Sequence, residues 1–262
     1  MSKGKLPLSV AIITYNEEDI IGKTLEAVHD IASEIIVVDS HSTDRTREIA
    51  ESFGAKVFVE DWKGYSGQKN SALEKCSQEW VLFLDADEVV SEELKESIVK
   101  ELQNPRADGY LINRRTYYMG KFLKYAWQPE WRTLLVNKRT NPVWVGEPHA
   151  FISIKAGKTY KLKGDLYHFS YKNLKEHIRK LFTYSGQAAI FMYKSGRKCR
   201  SINLIFNPMW AFLKVYILQR GILDGIPGLV ASFMTMVYTF FKYAFLYELQ
   251  MKDKYGKKLW QR

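Results

Sequence analysis

Cysteine is scarce: Cys76 and Cys199 are the only two in 262 residues, they lie far apart, and they form no CxxC pair. That scarcity excludes a disulfide framework and a cysteine-built zinc site, and it points to a reducing compartment. Neither GxGxxG nor GxxxxGKS/T occurs. A dinucleotide-binding glycine loop and a P-loop are therefore both disfavoured, and any phosphate has to be held by metal and side chains. The stretch from Met1 to Pro7 runs straight into a strand-like segment without a long apolar run, so a secretory leader is not expected. Acidic residues are sparse in one half of the chain. Up to residue 110 there are 12 Lys and Arg against 22 Asp and Glu, whereas from 111 onward 27 face only 7. The net charge of +10 thus averages an acidic surface and a strongly basic one, which call for different partners. The basic half is rich in Trp, Tyr and Phe, and its partner is expected among nucleic acid, anionic lipid and phosphorylated substrates.

What the first hundred residues do contain is a repeat of short apolar runs and amphipathic stretches. Leu8 to Thr14, Ile35 to Val38, Lys56 to Val59 and Trp80 to Leu84 read as strands, most of them near-continuous in apolar residues as buried parallel strands are. Between them, Ile21, Leu25 and Val28, and then Ile49, Ala50 and Phe53, fall on single helical faces. The second of these helices is expected to be capped by Ser42 or Thr43 and closed by Gly54. Another helix is expected over 66–76. Ser91, followed by Glu92 and Glu93, opens one more that buries Leu94, Ile98 and Leu102 and ends at Asn104-Pro105. The pattern predicts a doubly wound, mostly parallel α/β sheet, whose ligands bind outside the carboxyl ends of the strands.

Three of the four runs end there in polar or acidic clusters: Thr14-Tyr15-Asn16-Glu17, Asp39-Ser40-His41-Ser42 and Asp85-Ala86-Asp87-Glu88. An Asp-X-Asp step at a strand's carboxyl end can hold a hard divalent cation against a diphosphate. Such a pair is common by chance, so its context has to carry the reading.

That context resembles a known family. Thr14-Tyr15-Asn16-Glu17-Glu18, Val37-Val38-Asp39-Ser40-His41-Ser42-Thr43-Asp44, Gln68-Lys69-Asn70 and Phe83-Leu84-Asp85-Ala86-Asp87-Glu88 follow the order and spacing of family 2 glycosyltransferases. These are inverting enzymes of the GT-A fold that use nucleotide-diphosphate sugars. Gly164 to Tyr171 and Arg220 to Gly225 resemble the lipopolysaccharide-core β-glucosyltransferase group within it. The resemblance implies a GT-A domain over 1–170, with a nucleotide-sugar half (1–108) and an acceptor-side region (109–170). A basic helical region follows over 171–262.

The resemblance also implies roles. Thr14, Tyr15 and Glu17 would border the nucleobase and ribose, with Asn16 in the same loop. Asp39 would accept a hydrogen bond from the uracil imide, and Asp85 would lie near the ribose with Ala86 beside it. Asp87 would bind Mn²⁺ or Mg²⁺ bridging the two phosphates, with Asp85, His149 and His168 as further metal ligands or diphosphate contacts. Lys69 would bring a cation to the diphosphate next to Asn70, and Arg132 would hold phosphate or acceptor. His29, His41 and His177 read as structural or surface residues. Two departures stand out: Ser40 and His41 replace the usual acidic or amide residue and glycine, and Ala150 stands where the family's His-Glu pair would put its Glu. Glu147, in the loop Gly146-Glu147-Pro148-His149-Ala150, is the candidate general base, against a plain surface carboxylate or a base from elsewhere.

In the basic half, strands are expected over 109–115 and 132–137. A helix over 173–195 would align Leu174, Ile178, Leu181, Phe182, Ser185, Ala189 and Met192 on one face. Met209 to Leu213, Tyr216 to Leu218 and Ile226 to Phe241 are strongly apolar. The last reaches the ~20 residues of a membrane span only if Lys242 snorkels, and Pro227 and Gly228 stand at its start. The expectation is monotopic, peripheral attachment to the cytoplasmic face of the inner membrane, with a buried helical core or oligomer interface and a single span as alternatives. Lys252, Lys254, Lys257, Lys258 and Arg262 would meet anionic headgroups. The function expected is transfer of a sugar, glucose by likeness, from a UDP-sugar to a lipid-linked glycan such as lipopolysaccharide core. A nucleotidyltransferase would normally show a glycine-rich loop with Arg and Lys after the first strand, which is missing here. A nucleic-acid binder would not expose the long apolar helices that share the basic half, so no nucleic acid is expected.

Overall fold

The computed structural model describes residues 5–147, 150–155 and 157–256. The chain divides into two compact units, Met1–Arg115 with Pro129–Phe169, and Thr116–Gln128 with Ser170–Arg262. In chain order the first unit carries β1 (Leu6–Thr14), α1 (Ile21–Glu26), β2 (Ala32–Asp39), α2 (Thr46–Ser52), β3 (Lys56–Val59), α3 (Gly64–Lys75), β4 (Trp80–Asp85), β5 (Glu88–Val90) and α4 (Glu92–Gln103). It continues through β6 (Gly109–Tyr118), which runs on into the second unit, and returns after the short β7 (Lys121–Phe122) at β8 (Trp131–Asn137). A hairpin of β9 (Val143–Val145) and β10 (Phe151–Ser153) and the long β11 (Thr159–His168) complete it.

Four strands run parallel in the order β3-β2-β1-β4. β8 and β6 then add antiparallel, and β11 pairs antiparallel with β5. The apolar runs of the sequence are these parallel strands because both of their faces are covered: Val10, Ile12, Ile36, Val37, Val81 and Leu82 have no exposed surface. Two expected helix ends hold. Ser91 caps α4 by accepting the amide of Leu94, and Gly54 sits past α2 at φ +76°. One does not: α2 starts at Thr46, with Arg45 rather than Ser42 or Thr43 before it. Ser42 is drawn away by Asp39, as described below.

Glu34 on β2 ties the amino-terminal end of the sheet together. It accepts hydrogen bonds from Ser9 (2.6 Å), from the hydroxyl of Ser77 (2.9 Å) and from Lys56 (3.2 Å). Burial pushes this carboxyl up, but Ser9, the amide and hydroxyl of Ser77, and Lys56 outweigh it and hold it at about 2. A carboxyl depressed on folding stabilises the fold above its unfolded pKa and loses that contribution as pH falls through the folded value. The contribution of Glu34, on the order of 3 kcal/mol, is therefore expected to vanish between about pH 4.5 and 2. Urea unfolding at pH 6 and pH 3 should show a smaller acid loss for Glu34→Gln than for the parent chain. Equal losses would show that Glu34 contributes nothing of the kind.

The second unit is built from α5 (Leu174–Lys194), α6 (Ser201–Leu213) and α7 (Ile226–Tyr255). Asn173 caps α5 by accepting the amide of Glu176. α5 buries Leu181, Ser185, Ala189 and Met192 as expected, along with His177, but Leu174, Ile178 and Phe182 stay exposed because the covered stripe is narrower than the apolar one. α6 extends through a π-helical turn, Lys214–Leu218, to a 3₁₀ turn, Gly221–Asp224, before α7. Two stretches, Ser201–Leu218 and Ile226–Tyr255, are long and apolar enough to cross a membrane by length and composition. Their most apolar windows are only 11% and 28% buried, unlike those of a soluble core helix.

Candidate functional site

Asp85-Ala86-Asp87 turns the chain from the end of β4 into β5. The antiparallel register sets His168 of β11 opposite Glu88, and the Phe169 amide donates to the Asp87 carbonyl at 2.9 Å. That register brings His168 Nε2 to 3.5 Å from Asp87 Oδ2. From α3, Lys69 reaches Asp85 Oδ1 at 2.7 Å, its ammonium lying 4.5 Å from the centre of the Trp144 ring. From β6, Arg114 places NH1 3.9 Å from Asp85 Oδ2 and 3.3 Å from Glu88 Oε1. The same guanidinium forks onto Glu130, at 3.1 Å and 2.6 Å, and Glu130 also accepts from Arg132 at 3.0 Å. Glu88 Oε2 takes the Asp85 amide at 2.9 Å, so the turn is held from beneath.

These charges sort themselves. Burial would raise the Asp85 carboxyl, but Lys69, Arg114 and His168 overcome it and hold it low. Glu88, only 2% exposed, is pushed the other way, by burial and then by the Asp85 anion. Burial disfavours the charge of Arg114, yet Glu88, Glu130 and Asp85 keep it firmly protonated. Glu130 is raised by burial and pulled below the usual carboxylate range by Arg114 and Arg132. Asp85 is thus the committed anion at the end of the sheet, and Glu88 is the carboxyl that takes up a proton first.

The first two strand-end clusters are stitched to each other. Asp39 is fully buried and accepts from the Thr14 hydroxyl (2.7 Å), the Ser42 amide (2.8 Å) and the Ser42 hydroxyl. Ser42 Oγ in turn accepts the Asn16 amide, Asn16 Oδ1 the Thr43 amide, and Thr46 Oγ1 the Glu17 amide. Thr14, Asn16 and Asp39 therefore brace this loop pair, while Tyr15, 59% exposed, presents its ring to solvent. His41 stands where the family's glycine would and keeps a glycine-like φ of +60°. Replacing it by Val should cost about 1–2 kcal/mol in unfolding free energy, whereas Gly should be close to neutral. Equal losses for both would place the effect elsewhere, in the contact of His41 with Asp61.

Several expectations are corrected or sharpened. Asn70 accepts the Trp144 amide at 2.8 Å and donates to its carbonyl at 2.9 Å, so it clamps β9 to α3. Both oxygens of Asp85 face protein cations, Lys69 and Arg114, whereas Asp87 faces His168. Among the described residues no cluster of three metal-ligating side chains occurs. His149 lies outside the described residues. Arg132 is joined to Glu130, and Glu147 Oε1 accepts the Ser66 amide at 2.7 Å in the first turn of α3. Glu88, Arg114, Glu130 and Trp144 escaped the sequence reading. The available signal was a pair of arginines inside a partly apolar strand and a third carboxylate directly after Asp-X-Asp.

A family model described as "Glycosyl transferase family 2" matches residues 9–158. The chain is 34% identical to an uncharacterized glycosyltransferase of Rickettsia typhi (strain ATCC VR-144 / Wilmington), over 94% of this chain and 89% of the relative. It is 33% identical to the lipopolysaccharide core biosynthesis glycosyltransferase LpsC of Rhizobium meliloti (strain 1021), over 93% of each. Among solved structures it is similar to a mannosyltransferase of Pyrobaculum calidifontis in complex with GDP-Man and Mn²⁺. That match has a TM-score of 0.54 and 14% identity, and covers 98% of this chain and 89% of the other; it speaks to the fold. Strand-end motifs, sheet order, family match and full-length relatives agree, and the chain belongs to glycosyl transferase family 2.

Proposed function

We propose that this glycosyltransferase moves a sugar from a UDP-sugar, UDP-glucose being the first to try, to a hydroxyl of a lipid-linked glycan of lipopolysaccharide-core type, with inversion at the anomeric carbon. The observation that carries the reading is the pairing of Asp87 with His168 beside Lys69 and Asp85 at the carboxyl end of β4. The likeness to LpsC supports the acceptor class. Asp87 and His168 suit Mn²⁺ or Mg²⁺, since hard octahedral cations are commonly held by one or two protein ligands with phosphate oxygens and water in the other positions. When bound, the ion neutralises charge on the departing diphosphate. Lys69, oriented by Asp85 and the Trp144 ring, adds a fixed positive charge to the same group. Tyr15 offers the base a ring face.

Glu147 is our assignment for the proton acceptor. Oε1 holds the Ser66 amide, and Oε2 has no hydrogen-bond donor among the described residues. Glu147→Gln keeps an oxygen for Ser66 and removes only basicity. It is expected to lower turnover about 10²–10⁴-fold with unchanged thermal stability and UDP binding. Near-normal turnover would leave Glu147 as the cap of α3 alone.

The donor site itself is tested by a thermal-shift panel of UDP-sugars with and without Mn²⁺. A rise in melting temperature that EDTA abolishes is the expected result, and no rise with any of them would remove the metal–diphosphate reading. The apolar, exposed α6 and α7 and the basic charge around them support peripheral attachment to the inner membrane. Alkaline carbonate should strip the protein from membranes, and resistance would favour a span.

A further inference from the structure

The second unit carries an apolar tip whose single acid is hidden. From the π-helical turn to the start of α7, Ile217, Leu218, Ile222, Leu223 and Ile226 are exposed, Ile226 to 73%. Between Glu176 and Glu248 the only acidic residue is Asp224. It is 2% exposed, and its carboxylate accepts the amides of Lys124 (3.0 Å), Tyr125 (2.9 Å) and Ala126 (2.8 Å). Gln219 and Thr235 hold Trp127 of the same segment through its amide and its ring nitrogen. The turn is tightly built. A Cβ on Gly228 would lie 1.9 Å from the Gly221 carbonyl oxygen, and one on Gly221 would lie 2.7 Å from that of Val215. The tip is therefore a preformed wedge, and Lys121, Lys124, Lys214 and Arg220 on its turns and braces are all exposed.

We propose that this wedge is the element that enters the bilayer: its five aliphatic side chains reach the acyl region while the four basic residues remain at anionic headgroups. The inference deepens the membrane reading above and rests on it. The charge argues for lipid over a second copy of this chain. With Asp224 buried, two copies would oppose like charges, whereas an anionic bilayer supplies both opposite charge and an apolar phase. The braced segment Thr116–Gln128 follows directly on Arg114 and Arg115 and leads directly into Glu130 and Arg132.

The test uses the full chain with equimolar phosphatidylglycerol and phosphatidylcholine vesicles. The triple variant Ile222→Ser, Leu223→Ser, Ile226→Ser should lose partitioning about tenfold or more, because three exposed aliphatic side chains are removed from the buried set. A pair on the outer face of α6, Ile205→Ser with Met209→Ser, should change it by no more than about threefold. An environment-sensitive dye on Leu223→Cys should brighten and shift to the blue on vesicle binding, the native Cys76 and Cys199 being buried. Retained binding in the tip variant with loss in the α6 pair would overturn the wedge and leave peripheral attachment standing. A parent chain that ignores the vesicles would overturn both. A change in sedimentation between parent and tip variant without lipid would assign the surface to self-association and overturn the lipid assignment.

Discussion

Asp87→Asn is expected to lower sugar transfer by at least about 10³-fold, some 4 kcal/mol of transition-state stabilisation. The substitution keeps shape and removes charge. Asp87 is the carboxylate beyond β4 that we propose for a divalent cation, Asp85 being engaged by Lys69 and Arg114. Its Oδ2 lies 3.5 Å from His168 Nε2, so an amide there weakens both the ion's anchor and the orientation of the histidine. The fold should be untouched, because the turn is held by the backbone bond from Phe169 to the Asp87 carbonyl and by Glu88 beneath Asp85. The decisive comparison is calorimetric. Parent and variant should bind UDP equally weakly in EDTA, and only the parent should tighten when Mn²⁺ is added. A variant that transfers sugar at the parent rate in Mn²⁺ would end the assignment.

The largest structural effect is expected at Arg114. Arg114→Met leaves Glu88, which is 2% exposed, and the half-buried Glu130 and Asp85 without the cation they share. Removing one partner of a buried charge group costs about 3–5 kcal/mol, because the remaining charges stay desolvated. In a chain of this length that corresponds to a fall in melting temperature on the order of 10 °C. Arg114→Lys should recover little of it, since an ammonium cannot fork onto Glu130 while touching Glu88. The loss should shrink as pH falls, because carboxyls that become neutral no longer need the missing cation, and Glu88, already raised, is the first to do so. Denaturant unfolding at pH 7 and pH 5 reads both features, and Glu88→Gln added to Arg114→Met should restore part of the stability. Parent-like stability of the single variant would show that the network is held by other means.

Much of the fold was legible in the chain. The runs ending at Thr14, Asp39 and Asp85 are strands because apolar side chains dominate both of their faces, a local property. Ser91 and Gly54 work where they were expected because caps depend on neighbours one turn away. The loop pair at the first two strand ends was legible as a location but misread in part. Ser42 was expected to cap α2 and instead serves Asp39. That choice depends on β1 and β2 lying side by side, and no spacing within either segment expresses it.

The sequence by itself determined that a parallel sheet would gather carboxylates at one end and that charge would divide between an acidic first half and a basic second half. Only the tertiary structure decided which protein groups each carboxylate of the pair faces. Asp85 and Asp87 stand two residues apart with the same chemistry. Lys69 from α3 and Arg114 from β6 reach the first, and His168 from the end of β11 reaches the second. Likewise Asn70 became a clamp through Trp144, 74 residues away, and Asp224 a brace through amides about 100 residues upstream. Strand and helix formation are settled by neighbouring side chains. The state of a charge is settled by whichever groups the fold sets within a few ångströms of it, and sequence distance carries no information about those.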